Sequence, residues 1–141
     1  MRRTRALAVE KFSELALQNN DDVVMVRQAV RTAAVEIGFN IVEQTKIVTA
    51  ASELARNTVV HGGGGWARIE TVRNATNTGL RLVFKDHGPG IRDIEQAMRD
   101  GYTTGTGLGL GLGGARRLSS EFAIDSRAGE GTSVMILRWK G

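Results

Sequence analysis

The stretch Gly105-Thr-Gly-Leu-Gly-Leu-Gly-Leu-Gly113-Gly114 contains six glycines in ten residues. Glycine lets the backbone come close to a ligand and leaves its N–H groups unobstructed, so a glycine run that leads into a helix is suited to binding phosphate oxygens. Leucines alternate with these glycines, which a solvated flexible linker rarely shows. The stretch therefore predicts a ligand-binding backbone segment that its leucines anchor.

Two familiar glycine motifs do not explain this run. A P-loop requires Lys followed by Ser or Thr after its last glycine, but Ala115 and Arg116 follow Gly114. The spacing G-x-G-x-x-G does occur, but a dinucleotide-binding fold requires a strand immediately before it. Here the preceding residues are Asp100-Gly-Tyr-Thr-Thr104, so we interpret the match as chance.

The first of two polar clusters upstream is Glu53-Leu-Ala-Arg-Asn57, in a segment with helical periodicity. Residues four apart lie on one helix face, roughly 6 Å from each other. Asn57 offers a neutral oxygen that could coordinate Mg²⁺, and Glu53 could accept a proton from an attacking hydroxyl or water. Taken alone, the pair is equally typical of a solvated helix face.

The second cluster is Asp86-His-Gly-Pro-Gly90, which follows a mostly apolar strand pattern. A carboxylate at a strand end could accept a hydrogen bond from an exocyclic amine such as that of adenine, and the glycines would let a base approach. An ordinary turn is the alternative, since Asp, Gly and Pro are favoured turn residues. The three clusters together predict a nucleotide site.

The hydrophobic periodicity predicts the order of the elements. We expect a short edge strand near residues 15–17, and then helices at 23–37, about 41–60, within 91–104 and at 115–121, with hairpin strands at 66–72, 80–86, 122–126 and 132–139. Strands gathered in hairpins favour an α+β sandwich with a mixed or antiparallel sheet. We expect one domain at 13–141, preceded by a flexible basic arm at 1–12.

The composition limits the class of protein. The 141 residues are 41% hydrophobic and carry a net charge of +4, and none is cysteine, which excludes disulfides and cysteine-ligated metals. The basic residues are scattered and aromatics make up 5%, so we expect no nucleic-acid binding. No apolar stretch approaches the roughly 20 residues of a membrane helix, so we expect a cytoplasmic protein without a membrane partner.

The clusters occur in the order of the N, G1, G2 and final threonine motifs of the GHKL ATPase and kinase superfamily. From about residue 14 to 140 the chain resembles the serine/threonine-protein kinases of the anti-sigma-factor regulatory family, most of all the RsbT-type switch kinases of the stressosome. The similarity is strongest in four segments: Ser52-Glu-Leu-Ala-Arg-Asn57, Asp86-His-Gly-Pro-Gly-Ile91, Asp100-Gly-Tyr-Thr-Thr104 and Gly129-Glu-Gly-Thr132.

This resemblance implies a Bergerat fold, a two-layer α/β sandwich whose mixed sheet is covered by helices on one face, with ATP held between the helices and a lid. It implies that Asn57 ligates Mg²⁺, that Glu53 is the catalytic base and that Asp86 binds the adenine amine, with Thr132 supporting it through water. The residues implied to contact ATP are Asn57, Asp86, Gly88, Gly90, Ile91, Gly105, Gly107, Leu108, Gly109, Leu110, Gly111 and Thr132.

The resemblance also implies an activity and its partners. The kinases of this family phosphorylate a serine or threonine on a STAS-domain antagonist or scaffold protein in partner-switching pathways, and RsbT-like kinases also bind and activate a PP2C-type phosphatase. The alternative is a nucleotide-tuned anti-sigma factor or regulatory module that sequesters a partner without phosphotransfer. An isolated histidine-kinase ATP module would need another domain, for which the chain leaves no room.

Two arginines could help to neutralise the phosphates. No lysine lies between Asp86 and Lys140, so Arg116 and Arg117, which we expect near a helix start, are the candidates. A solvated helix end or a partner-docking surface would explain them equally well.

Overall fold

Two long helices and a five-stranded sheet make up the two layers of the fold. The structure is a computed structural model that describes residues 7–99 and 111–141. Its elements in chain order are β1 (Ala8–Leu17), α1 (Asn20–Glu36), α2 (Ile41–Val60), β2 (Gly65–Arg73), β3 (Thr78–Asp86), α3 (Ile94–Ala97), α4 (Gly111–Arg117), β4 (Glu121–Arg127) and β5 (Gly131–Trp139). None of the helices described here is long and apolar enough to cross a membrane.

Asparagine caps fix where the two long helices begin. Asn19 accepts a hydrogen bond from the Asp22 N–H at 3.0 Å, which starts α1 three residues before the first apolar position that the periodicity shows. Asn40 and Glu43 form a reciprocal capping box, with hydrogen bonds of 2.8 and 2.9 Å. Such a box satisfies two backbone donors that a helix start otherwise leaves unpaired. The predicted bounds of α2 are confirmed.

The sheet has the strand order β1-β2-β3-β5-β4, and every pair of neighbouring strands among the described residues is antiparallel. The predicted α+β sandwich is confirmed. Of the two sheet types expected from the sequence, the antiparallel one is found and the mixed one is not. The reason is that β2–β3 and β4–β5 are hairpins, and the two hairpins join through β3 and β5 with opposite strand directions.

The core lies between one sheet face and the helices. β3 contributes the alternating side chains of Leu80, Leu82 and Phe84, which are almost fully buried. On the helical side the largest buried side chains of α2 are Ile47 and Leu54. Burying side chains of this size stabilises a fold by about 1.5–3 kcal/mol each, so this layer contact fixes how α2 lies across the sheet.

The first strand starts earlier than the sequence predicted. β1 pairs with β2 from Ala8 opposite Arg73 to Leu17 opposite Gly65, so residues 8–12 belong to the sheet and not to a flexible arm. Side chains also hold this segment, in addition to the backbone pairing: the Arg73 Nε donates a hydrogen bond to Glu10 at 2.6 Å. Most β1 side chains are exposed, so the strand has no alternation of apolar and polar residues that would reveal it.

The last helix is also displaced from its predicted position. α4 spans Gly111–Arg117 instead of 115–121, and Glu121 already begins β4. Its first five residues are buried, and glycines among them allow α4 to pack closely on α2. Because the helix begins early, Arg116 and Arg117 lie in its last turn and not at its start.

Candidate functional site

A cavity of about 370 Å³ lies between α2, the 86–91 loop, α3, the start of α4 and β5. Its volume falls in the range of small-molecule sites in proteins. The described residues that line it are Leu54, Asn57, Thr58, His61, Gly62, Phe84, Asp86, Pro89, Gly90, Ile91, Arg92, Asp93, Gln96, Ala97, Gly111, Leu112, Thr132 and Val134. Apolar side chains thus form much of the wall and a few polar groups point into it.

Asp86 is the buried carboxylate of this cavity, with a relative exposure of 8%. It is the last residue of β3, where the chain leaves the sheet and turns. Its Oδ1 accepts hydrogen bonds from the Gly88 N–H at 2.9 Å and from the Thr132 N–H at 3.3 Å. These bonds hold one side of the carboxylate and fix the direction in which the group faces.

Two glycines pack closely beside Asp86. A Cβ at Gly62 would lie 2.5 Å from Asp86 Oδ2 and overlap the carboxyl carbon as well. A Cβ at Gly88 would lie 2.6 Å from the Gly62 carbonyl oxygen. Gly88 is not among the described residues of the cavity wall, but it packs against Gly62 and its N–H donates to Asp86.

The 86–91 loop and the β4–β5 turn are locked together. Gly90 has φ +78°, and a Cβ there would overlap the Arg127 carbonyl oxygen. The Gly129 N–H donates to the Pro89 carbonyl oxygen at 2.7 Å, and the Ile91 N–H donates to Ser126 Oγ at 2.8 Å. This contact between the loop and the turn brings Thr132 beside Asp86.

Of the two α2 residues predicted to act together, Asn57 lines the cavity and Glu53 is buried in the protein interior. Asn57 lines the cavity together with Thr58, whose hydroxyl donates to the Leu54 carbonyl oxygen at 2.9 Å. Glu53 lies one helical turn before Asn57, has a relative exposure of 6% and is not among the described residues of the cavity wall. His61 caps the end of α2 and also lines the cavity.

Part of the predicted phosphate segment lies outside the described residues: Gly105, Gly107, Leu108, Gly109 and Leu110. The last glycine of the predicted phosphate set, Gly111, begins α4 and lines the cavity beside Leu112. The end of the glycine run therefore reaches the same site as Asn57 and Asp86.

Arg116, one of the two arginines considered for the phosphates, is not among the described residues that line this cavity. Arg116 lines a separate surface groove with Met98, Phe122 and Ile124, on the β4 side of the fold. Both Arg116 and Arg117 occupy the last helical turn, where a cation interacts favourably with the carbonyl end of the helix.

The shape and donor set of the cavity fit an adenine nucleotide. Apolar side chains such as those of Leu54 and Val134 suit a flat base, while Asp86 can accept a hydrogen bond from an amine. Asn57 supplies an oxygen ligand of the kind that Mg²⁺ takes alongside phosphates and water. The described residues contain no group of three or more His, Asp or Glu side chains that could hold a metal by itself.

Sequence reasoning missed several residues of this site. Gly62 and Ser126 act through contacts with segments far away in the chain, so no local pattern marks them. The apolar wall residues match ordinary core positions of the helices and strands, and only the fold shows that they face a cavity. Thr58 is one of the buried residues of α2 and lines the site as well.

Comparison with known proteins gives a consistent result. The family model described as histidine kinase-like ATPase domain matches residues 17–139. The chain is 47% identical over 118 residues to serine/threonine-protein kinase RsbT of Bacillus subtilis (strain 168), covering 84% of this chain and 89% of that protein. It is 30% identical over 133 residues to an anti-sigma F factor of Clostridium beijerinckii, covering 89% of this chain and 92% of that protein.

Solved structures share the fold at low sequence identity. The RsbU and RsbW domains of Rv1364c from Mycobacterium tuberculosis match 93% of this chain with a TM-score of 0.63 and 23% identity, and the match spans 33% of that longer chain. A chain of the SiaB-SiaC complex from Pseudomonas aeruginosa matches 92% of this chain with a TM-score of 0.53 and 13% identity, over 90% of its own length. The chain belongs to the family of histidine kinase-like ATPase domains.

Proposed function

We propose that this protein is an ATP-dependent serine/threonine-protein kinase that phosphorylates a STAS-domain antagonist or scaffold protein in a bacterial partner-switching pathway of the stressosome type. The observation that carries the proposal is the cavity in which Asp86, Thr132 and Asn57 meet, in a chain 47% identical to the kinase RsbT. The proposed setting is the cytoplasm, where ATP and such partners are present.

In the proposed reaction, some residues bind the nucleotide and its metal ion, and another takes up the proton. Asp86 accepts the adenine amine with Thr132 beside it, and Asn57 holds Mg²⁺, which when bound neutralises charge on the phosphates. The acceptor hydroxyl oxygen forms a bond to the γ-phosphorus while the bond from that phosphorus to the bridging oxygen breaks, releasing ADP. Glu53 takes the hydroxyl proton. Catalysis of this kind is mostly positioning and charge stabilisation.

The second candidate function is a regulatory binding module that uses nucleotide to tune its affinity for a partner. One observation favours it: the 30% identity to an anti-sigma F factor. In the first function the released kinase also binds and activates a PP2C-type phosphatase. In the second, sequestration of the partner is the whole activity.

Intact-mass spectrometry of STAS-domain proteins incubated with this protein, Mg²⁺ and ATP separates the two functions. We expect a mass gain of one phosphate with the parent, and a rate at least about 100-fold lower with Glu53→Gln, because the amide cannot accept the proton. Titration with a fluorescent ATP analogue should show that Glu53→Gln still binds nucleotide.

The control variant is Glu36→Gln, which changes an exposed glutamate that pairs with Lys11 and is remote from the cavity. It should phosphorylate at the parent rate. Full activity of Glu53→Gln would refute Glu53 as the base. Nucleotide binding without transfer to any of several STAS proteins would support the binding module instead.

A further inference from the structure

β4 forms one edge of the sheet. The strand order is β1-β2-β3-β5-β4, so β4 has a neighbouring strand, β5, on one side only. Among the described residues, no other segment makes a backbone hydrogen bond to residues 122–126 from the free side. A sheet edge of this kind presents unpaired N–H and C=O groups, to which a further strand can pair.

A surface groove of about 690 Å³ lies beside this edge. The described residues that line it include Phe122, Ala123 and Ile124 of β4, with Ile94 and Met98 from the α3 region opposite. Phe122 and Ile124 pack toward the core, whereas Ala123 between them is exposed on the other face of the strand. The groove therefore contains both the apolar helix-side face of β4 and the edge of the strand itself.

The charged side chains of the groove are mostly basic. Arg99 and Arg116 line it together with Glu95, and all three are exposed. Neither arginine forms an ion pair with any residue that the structure describes. Two arginines against one glutamate leave a surplus of positive charge beside an apolar floor, which attracts acidic groups.

We propose that this groove binds an extended acidic segment of a partner protein, which pairs with β4 and adds a strand to the sheet. Alternate side chains of a strand face the same side. Apolar residues two apart in the bound segment would therefore contact Phe122, Ile124 and Met98, and acidic residues beyond them would meet the two arginines. The inference goes beyond the proposed function, because the groove shares no described lining residue with the nucleotide cavity.

A second copy of this chain fits the groove less well. In the antiparallel pairing that a two-fold axis gives, β4 of another copy would turn Phe122, Ile124 and Ser126 toward the groove, and none of them is acidic. The acidic residues of β4, Glu121 and Asp125, alternate with these and face the other side of the sheet. The arginines would then gain no acidic partner, so the occupant is a different protein.

Fluorescence anisotropy of a labelled peptide, Asp-Thr-Val-Thr-Ile-Thr-Glu, tests this surface on the full chain. The peptide is as long as β4, and its pattern is the same in both directions, so either orientation of the added strand is served. We expect saturable binding below about 1 mM. Replacing Val and Ile of the peptide by Ser should weaken binding at least about tenfold, because the apolar burial is lost.

Charge reversal tests the role of the arginines. The double variant Arg99→Glu, Arg116→Glu should bind the peptide roughly 5- to 20-fold more weakly, because two surface attractions become repulsions. It should bind a peptide with lysine at both ends better than the parent does. The matched control is Arg31→Glu, an exposed arginine on α1, which packs on β1 and β2 at the other end of the sheet. This control should bind the acidic peptide as the parent does.

Methylation of the peptide backbone tests the strand pairing. Alternate N–H groups of a bound strand point toward β4 and the rest point to solvent. Of two peptides methylated at either the odd or the even nitrogens, one should bind at least about tenfold more weakly, and the other should bind as the unmethylated peptide does. If circular dichroism shows that the double variant does not fold, the lysine-ended peptide tests the charge on the parent, with binding at least about fivefold weaker than that of the acidic peptide.

Four results would overturn the inference. They are no binding of the acidic peptide up to about 1 mM, equal affinities of the two methylated peptides, an affinity that charge reversal leaves unchanged, and a dimer in light scattering that the peptide dissociates. The last result would assign the edge to a second copy of the chain. None of these measurements involves nucleotide, so a failure here leaves the proposed function untouched.

Discussion

At the scale of single residues, Asp86 owes its position to one neighbouring group and two that are distant in the chain. Gly88 donates to it from the following turn, while Gly62 lies against its carboxylate and Thr132 donates from β5. The strand pattern predicts that Asp86 ends β3, but nothing local predicts the two distant partners. Asp86 is therefore held in place before any ligand arrives, which reduces the cost of ordering it on binding.

Replacing Gly62 tests this packing. Gly62→Ala places a methyl group on the Asp86 carboxylate, so we expect a nucleotide affinity lower by about tenfold or more and a free energy of unfolding lower by roughly 1–3 kcal/mol. Gly63→Asn is the control, since its backbone has φ +74° with open space around it and asparagine tolerates that conformation. Fluorescent-nucleotide titration and urea unfolding measure both effects. Normal binding by Gly62→Ala would show that the carboxylate can move without loss.

The predicted site residues show what local sequence can and cannot predict. Asn57 lies in a regular helix, Gly90 and Ile91 lie in or next to a recognisable turn, and all three line the cavity. Gly88 and Glu53 are also predicted site residues, and neither is among the described residues of the cavity wall. Residue type and spacing indicate the chemistry, but the side of the chain that faces the cavity depends on packing between segments.

At the scale of elements, α2 was the most predictable helix, and the short or exposed elements were the least predictable. α2 shows a capping residue, a glutamate three residues later and a clear apolar period. β1 shows no alternation because most of its side chains are exposed, so its pairing with β2 could not be predicted. α4 begins within the glycine run, where low helix propensity hides a helix that tight packing on α2 stabilises.

The capping box at the start of α2 gives a prediction for this helix. Asn40→Ala removes the side chain that accepts from the Glu43 N–H, so we expect the free energy of unfolding to fall by about 0.5–2 kcal/mol. Thr32→Ala, on an exposed position of α1, should change it by less than about 0.5 kcal/mol. Urea unfolding followed by circular dichroism measures both, and equal stability of the two variants would contradict the role of the cap.

At the scale of the whole molecule, the sheet face opposite the helices carries a network of ion pairs. Glu70 is 5% exposed and accepts from Arg68 at 2.7 Å and from Arg81. Arg68 also pairs with Glu14 and lies 3.9 Å from the ring centre of Phe12. Three neighbouring strands are thereby linked on a face that no helix of the described residues covers. The sequence predicted the strands but not this network, because its members are far apart in the chain.

This network makes the stability depend on pH. Burial acts to raise the pKa of Glu70, but hydrogen bonds from Arg81 and Arg68 outweigh it, so the pKa lies below its ordinary value. A carboxyl whose pKa is lower in the folded state stabilises the fold above its unfolded pKa, and this contribution is lost as the pH falls through the folded pKa. The loss should begin as the pH drops below the ordinary value of 4.5.

The variant Glu70→Gln tests this dependence. At pH 7 we expect it to unfold with about 1–3 kcal/mol less free energy than the parent, because charged hydrogen bonds are replaced by neutral ones. The difference should stay nearly constant from pH 7 down to the ordinary pKa of 4.5 and shrink as the pH falls further, since a protonated glutamate resembles glutamine. Glu14→Gln, which breaks a more exposed pair, should cost at most about 1 kcal/mol. A difference that stays constant with pH would contradict the assignment.

The contact between the 86–91 loop and the β4–β5 turn also bears on how the protein matures during synthesis. Asp86 emerges from the ribosome 46 residues before Thr132, which completes the wall beside it. A nascent or proteolysed fragment that stops before Glu121 keeps α2 and β3 but lacks β5, which supplies Thr132 and Val134 to the cavity wall. The cavity is therefore complete only in a chain whose final hairpin has docked onto β3.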